Sequence, residues 1–322
     1  MAWLISLGVL AALVIAGMIV VNVVNSSRTP EAAVERYLEL IADGKGNEAT
    51  DLVDPGVANP ERAMLTDEVS GEADTEMTVL DVRTVSKFGK DAEVEARYSL
   101  NGEHFTYTFS VIEGKKELLF LKSWDVQTAL VAEVNLNSDS FAALNVEGQN
   151  VPLVSESENW YTATLYAYPG TYTVAAPSGG TEYLTADSQE VKVAPTHPDD
   201  YFTADVYATP TDAAKEAVLQ QVTDQMDSCA TVAGNLNELC PYPVQSKTLA
   251  SLEIKSTPTD FLSFDSGYFE SAEGTITLVD NPSDWEEDPE PYDVDSTLYG
   301  EYQIDADGEL TVTMDGNYYS SW

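Results

Sequence analysis

Cys229 and Cys240 are the only cysteines in the chain. They stand in Asp227-Ser228-Cys229-Ala230 and Leu239-Cys240-Pro241-Tyr242-Pro243, with ten residues between them, where a helical pattern ends. A disulfide closing such a loop restricts the unfolded chain and stabilises the fold by roughly 3 kcal/mol in the loop-closure model. Zinc would need two more soft ligands, and neither a second cysteine pair nor nearby histidines exist. A catalytic thiol would want a histidine partner. The pair is expected to be oxidised, with free thiols as the alternative.

The two histidines complete a thin inventory for catalysis. His104 sits in a strand pattern. His197 lies beside Asp199 and Asp200 in a segment whose prolines argue against preorganised metal ligation. No Gly-x-Ser-x-Gly elbow, glycine-rich phosphate loop or dinucleotide fingerprint occurs. Paired carboxylates are the remaining candidate, because a glycosidase needs two acids at a set separation. With 55 acids in the chain, some pair always fits. Asp305-x-Asp307-Gly308-Glu309 has part of a calcium loop but lacks the full oxygen set, and a hairpin turn explains the same residues. A second acidic stretch, 286–295, is equally unspecific for calcium. No catalytic residue, metal ligand or cofactor is therefore expected.

Aromatic residues offer a binding surface instead. Tyr166, Tyr168, Tyr172 and the terminal Tyr318-Tyr319-Ser320-Ser321-Trp322 would suit a glycan or protein partner, although tyrosine is also at home in strands.

The 322 residues carry 15 Lys+Arg against 55 Asp+Glu, a net charge of -40. A surface this negative repels phosphate backbones and anionic lipid headgroups alike, which excludes nucleic acid as a partner. Residues 2–24 contain no charge and only Ser6 and Asn22 as polar side chains. As a helix they would reach about 34 Å, enough to cross a hydrocarbon core of about 30 Å. A cleaved signal peptide would have a basic start and a shorter apolar run, so an uncleaved anchor is expected. Arg28, Arg36 and Lys45 follow it, and the positive-inside rule read literally would place the rest in the cytoplasm. Long domains translocate largely regardless of such charges, and an oxidised cysteine pair favours the outside.

Thr29-Pro30-Glu31 has the features of a helix start, and Val34, Tyr37, Leu38 and Ile41 continue at helical spacing. Asp43-Gly44-Lys45-Gly46 stops it. Shorter helical pieces follow near Ala49–Val53 and over 61–69. The period then changes to two over 78–88, 92–100, 104–112 and 117–126, with Asn101-Gly102 as a hairpin turn. Residues 128–194 read as strand and turn, and 195–200, with two prolines, as a linker. Thr211 caps a helix with Ala214, Val218, Val222 and Met226 every fourth residue. Strands are expected over 247–256, 268–279, 298–305 and 309–314, with an acidic surface loop over 281–295.

The run Pro30-Glu31-Ala32-Ala33-Val34-Glu35-Arg36-Tyr37-Leu38, the turn Ala42-Asp43-Gly44, Ala49 and Leu52, and the strand ending in Trp124 resemble nuclear-transport-factor-two-like (cystatin-like cone) domains. That resemblance covers about residues 29–127. It implies a conical pocket lined by residues such as Tyr37, Leu52 and Trp124. Pro169, Gly170, Tyr172 and Val174 resemble the turn and strand of PEGA-type β modules. The cysteine–proline arrangement after a helix resembles C-terminal domains of actinobacterial surface proteins.

The expected fold class is α+β: a transmembrane anchor (1–27), a cone-like α+β domain (28–127), a small β-sandwich (128–195), a linker (196–204) and a second α+β domain with the disulfide (205–322). The expected protein is a noncatalytic, single-pass component of the cell membrane with an extracellular ectodomain. Its expected partners are the membrane itself and a cell-wall polymer or basic protein. The alternative is a carboxylate-dependent cell-wall glycan hydrolase.

Overall fold

The computed structural model describes residues 25–74, 77–116, 121–157, 159–177, 181–231, 239–240, 244–245, 248–265, 267–282 and 289–315. The expected membrane helix lies outside these residues. Among the described residues, no helix is long and apolar enough to cross a membrane. The described chain is mostly strand with few helices. It divides into two units, Met1–Ser178 with Asp187–Tyr207 and Gly179–Ala186 with Ala208–Trp322.

In the first unit, helix α1 (Pro30–Ala42) begins as its sequence dictates, with the Thr29 hydroxyl accepting from Ala32 N at 3.3 Å. Val34, Tyr37, Leu38 and Ile41 form its buried stripe, at the spacing that gives a helix one apolar face. Gly44 ends the turn at φ +69°, with Gly71 Cα only 2.7 Å from where a Cβ would stand, so no other residue fits. Helix α2 (Gly46–Leu52), a 3-10 helix (Asn59–Leu65) and the single turn α3 (Asp67–Ser70) follow. The helical piece expected over 61–69 is thus two short elements of different pitch.

The antiparallel meander β1 (Met77–Phe88), β2 (Asp91–Leu100), β3 (Glu103–Glu113) and β4 (Trp124–Val126) forms one sheet in sequence order. Asn101 and Gly102 both take positive φ, at 49° and 84°, and make the tight turn between β2 and β3. The buried face of β2 (Val94, Ala96, Tyr98) and of β3 (Tyr107, Phe109, Val111) meets the apolar stripe of α1.

Two further sheets complete this unit. One orders β13 (Tyr201–Val206), β5 (Ala132–Ser138), β9 (Trp160–Ala167) and β8 (Val154–Ser157). The other orders β12 (Gln189–Val193), β10 (Gly170–Ala175), β6 (Ala143–Val146) and β7 (Gln149–Pro152). Strand β13 runs parallel to β5, from Tyr201 opposite Glu133 to Val206 opposite Ser138. Residues 201–204 of the expected linker are therefore strand. Ala204 and Val206 are buried at period two, a signal the neighbouring prolines obscure. The expected boundary at residue 127 falls inside this unit, because Leu130, Val131 and Tyr168 belong to the same core as α1 and β2.

The second unit starts with the short pair β11 (Leu184–Thr185) and β14 (Thr209–Pro210). Helix α4 (Asp212–Cys229) is capped by Thr211, whose hydroxyl accepts from Ala214 N at 3.2 Å. Ala214, Val218, Val222 and Met226 are its buried residues before Cys229. A three-stranded sheet orders β15 (Leu249–Ser256), β18 (Gly274–Asp280) and β19 (Tyr292–Ser296). A four-stranded sheet orders β16 (Phe261–Asp265), β17 (Tyr268–Ser271), β20 (Tyr299–Ile304) and β21 (Leu310–Asp315). The single strand expected over 268–279 is two strands in different sheets. The end of the expected acidic loop is strand β19. Its aspartates face threonines across the ladder, with Thr275 donating to Asp295 at 2.8 Å and Thr277 to Asp293 at 2.7 Å, and such cross-strand pairs support a sheet despite the charge.

Candidate functional site

The cysteine pair is a disulfide, Cys229 to Cys240, eleven residues apart and wholly buried. Both sulfurs belong to the second unit's core with Val222, Met226, Phe269 and Ile276. Cys229 ends α4, so the bond ties the last helical turn to the chain that returns toward β15. Gln225 Nε2 points at Cys229 Sγ at 3.6 Å, and Ser228 Oγ donates to Gln225 O at 2.7 Å.

Beside this bond lies an open groove of about 550 Å³ between α4 and β21. One wall is polar: Gln221, Asp224 and Gln225. The other is mainly apolar: Leu239, Val312, Thr313 and Met314. The helical period puts 221, 224 and 225 on one face, and strand period puts Val312 and Met314 on one face of β21. Gln220 Nε2 donates to Asp224 Oδ1 at 2.8 Å and holds that carboxylate on its helix. The lining carries one carboxylate, two amides and a short apolar strip. It can hold a cation and hydrogen-bond an amide or hydroxyl while apolar atoms rest on the strand. Sequence reasoning identified the helix and the strand but not the groove, which needs the two brought side by side.

The other expected residues are dispersed. Tyr37 is fully buried, and its hydroxyl accepts from Leu130 N at 3.0 Å. Leu52 is 39% exposed, and Trp124 is half-buried with Lys87 Nζ 4.5 Å from its ring centroid. Tyr37 packs edge-on against Phe109, so its ring is core rather than the wall of an open cone. Tyr168 and Tyr172 are also core rings, with Tyr172 donating to Tyr168 O at 2.9 Å, while Tyr166 is half-buried. The terminal residues 318–322 and positions 286–288 of the acidic stretch lie outside the described residues, while 289–295 are described and run into strand β19.

His104 is exposed on β3. His197 Nδ1 lies 3.5 Å from Asp199, both exposed at a turn. Asp200 holds that turn closed: its carboxylate accepts from Thr196 N at 2.7 Å, Thr196 Oγ1 at 3.0 Å and His197 N at 2.9 Å. Burial alone would raise its pKa, but these hydrogen bonds hold it below the ordinary aspartate value. At 305–309 the Asp305 carboxylate accepts from Asp307 N at 3.0 Å and Glu309 N at 2.8 Å. Both bonds fall on the one oxygen Oδ1, which serves the hairpin turn.

The buried tyrosines of the first unit have a pH consequence. Tyr98 donates to Pro195 O at 2.7 Å and Tyr107 to Ala129 O at 3.0 Å. Burial, with the negative charges of Asp200 and Asp199 nearby, pushes Tyr107 up to about 12. Burial, then Asp200, raises Tyr98 as well. A free tyrosine ionises near 10, so the unfolded chain releases these protons first. The stabilisation is complete below about pH 10 and is lost as pH rises through about 12. Circular dichroism and tyrosinate absorbance, followed together, should show the first unit unfolding in that window in step with ionisation. Ionisation of all seventeen tyrosines while the first unit's circular dichroism stays native would contradict it.

Compared with known proteins, the chain matches no protein-family model and no curated protein.

Proposed function

We propose that this chain is a noncatalytic, membrane-anchored cell-envelope protein whose acidic ectodomain binds a cell-wall polymer or a basic protein. In this reading residues 2–24 are the anchor and the rest faces outward, built from a cone-like helix-and-sheet part, a small β-sandwich and a disulfide-bonded α+β part. The observation that carries it is the groove beside the disulfide. An open channel with one carboxylate, two amides and an apolar strip suits recognition of a positively charged, amide-bearing segment, such as the amino group of a wall peptide. Hydrolysis of a glycan calls for two carboxyl groups across a cleft, and the described lining offers only Asp224. The net charge of -40 adds long-range attraction for a cationic ligand, an effect that weakens with salt.

The full chain in nanodiscs, titrated with soluble wall muropeptides or a short lysine peptide, should bind saturably and more weakly at high salt. Asp224→Asn should lower affinity about tenfold, equivalent to about 1.4 kcal/mol for one charge-assisted contact. Equal affinity in Asp224→Asn would remove the groove as the site. Release of reducing ends from wall glycan by the wild-type chain would favour the hydrolase.

A further inference from the structure

One end of the first sheet runs against the charge of the whole molecule. Six of the fifteen Lys+Arg residues gather there: Arg28, Lys87, Lys90, Lys115, Lys116 and Lys122. The strand register places them together. Strand β1 ends at Phe88 and β2 starts at Asp91; Asp91 stands opposite Ile112 near the end of β3, and Glu113 stands opposite Trp124 at the start of β4. Lys90 O accepts from Glu113 N at 2.8 Å, which closes the two strand ends onto each other. The five lysines are exposed. Elsewhere in this unit Lys45, Arg62, Arg83 and Lys192 are held in ion pairs. With Asp91, Glu93, Glu113, Asp125 and, by sequence, Glu117 counted, six cations meet five acids here, a balance that stands out in a chain of net charge -40.

The same end carries aromatic rings at its rim. Phe88 is 87% exposed at the tip of the β1–β2 hairpin. Trp124 is half-buried beneath the Lys87 ammonium. Trp124 packs on the first unit's core, whereas the Phe88 ring is turned to water. The chain also leaves the hydrophobic segment here. Arg28 Nη1 donates to Lys122 O at 3.0 Å, and Lys122 N donates to the Asn25 side chain at 2.8 Å. Asn25 directly follows residues 2–24.

We infer that this end of the sheet docks on the bilayer surface, with the lysines on anionic phospholipid headgroups and Phe88 inserted at the headgroup boundary. Basic residues near a bilayer are attracted by its anionic lipids, and aromatic rings favour the interface. The docking surface rests on reading residues 2–24 as the anchor, which would bring this end, and no other, to the membrane. The remaining acidic surface would be held away from it by repulsion.

The disulfide leaves Phe88→Cys as the one labelling site for a bimane in the full chain. Val154→Cys, exposed in the same unit, is the reference. Both are reconstituted in phosphatidylcholine vesicles with and without phosphatidylglycerol, containing lipid that bears a nitroxide on its headgroup. Position 88 should be quenched several-fold more than 154 in the anionic vesicles. Quenching should fall to the reference level when Lys87, Lys90, Lys115 and Lys116 are all changed to Gln, exposed positions of which only Lys87 touches the fold, through Trp124. Equal quenching at 88 and 154, in a chain that stays in the vesicles through alkaline carbonate, overturns the docking and leaves the anchor standing. Undiminished quenching in pure phosphatidylcholine overturns the headgroup recognition. A larger emission change with soluble polyphosphate than with anionic vesicles overturns lipid as the occupant. A chain that carbonate strips, but whose position 88 is quenched beforehand, keeps the docking and loses the anchor.

Discussion

Tyr168→Ala should destabilise the whole first unit by about 3–5 kcal/mol, the range for removing a large aromatic ring from a closed core. The ring is 1% exposed and packs in the cluster that also holds Tyr37, Leu38, Val94 and Tyr98. Its hydroxyl lies 2.8 Å from Thr50 Oγ1 on α2, 118 residues away. Truncation opens a cavity and removes the partner of a part-buried hydroxyl. Against a typical total of about 5–15 kcal/mol, this is a large share of the stability. At about 2–4 °C per kcal/mol for a unit of this size, the melting temperature should drop by about 6–20 °C. Hydrogen exchange shows whether the unit is cooperative. Amides of Val94 and Ala96 on β2 should lose protection together with those of Val134 and Leu136 on β5. If β2 keeps wild-type protection while β5 loses it, the helix-and-sheet part and the strands after it are separate folding modules.

That experiment bears on what could be read from the sequence. The local grammar was legible wherever one signal dominated. Thr29-Pro30 and Thr211 cap their helices, Asn101-Gly102 turns its hairpin, and β1, β2 and β3 follow the period-two text almost residue for residue, while of the strand expected over 117–126 only Trp124–Val126 is strand among the described residues. Elements that depend on distant partners were not legible. Tyr168 reads as part of a Pro-Gly-linked strand module, and only the folded chain reveals that it completes a core built by α1. Strand β13 gains its place from a parallel neighbour about 68 residues earlier, Glu133 beside Tyr201. No local pattern announces a parallel pairing, because its hydrogen bonds depend on a crossover far along the chain. Strand β19 was hidden by its charge: its aspartates are unusual strand residues until Thr275 and Thr277 are seen opposite them.

The same division holds for the sites. The disulfide was readable because two cysteines offer one pairing. The groove between α4 and β21 was not, since Gln221 and Met314 lie far apart in sequence and neither has a distinctive chemistry alone. The basic end of the first sheet was also missed. Its lysines are spread from residue 87 to 122, and against 55 acids a linear reading averages them away. Register, which sets strand ends side by side, turns six scattered cations into one surface.

Replacing Cys229 and Cys240 together by alanine should cost the second unit roughly 3 kcal/mol by loop entropy alone. Two features of the site argue that the loss is felt at the helix. The last turn of α4 has no basic residue, and Asp224 and Asp227 lie near its C-terminal end, where the helix dipole disfavours negative charge. The covalent tie at Cys229 therefore holds a turn that electrostatics loosen. Both cysteines are also core residues packed with Val244 and Leu249, so alanine leaves a gap beside β15 as well. For a unit of about 120 residues, roughly 3 kcal/mol corresponds to a melting shift of about 12 °C. Calorimetry should show the second transition falling by that amount while the first stays where it was. Gln225 and Leu239, which line the groove, sit within four residues of the cysteines in sequence, so muropeptide affinity should fall with it. Because the sulfurs are 0% exposed, reductant alone should leave the bond intact, and maleimide should label only once a denaturant is added. Labelling by reductant without denaturant would show that the α4 end opens in the native chain. An unshifted second transition in the double variant would show that the loop contributes nothing, and the stability of this unit would then rest on the apolar stripe of Val218, Val222 and Met226.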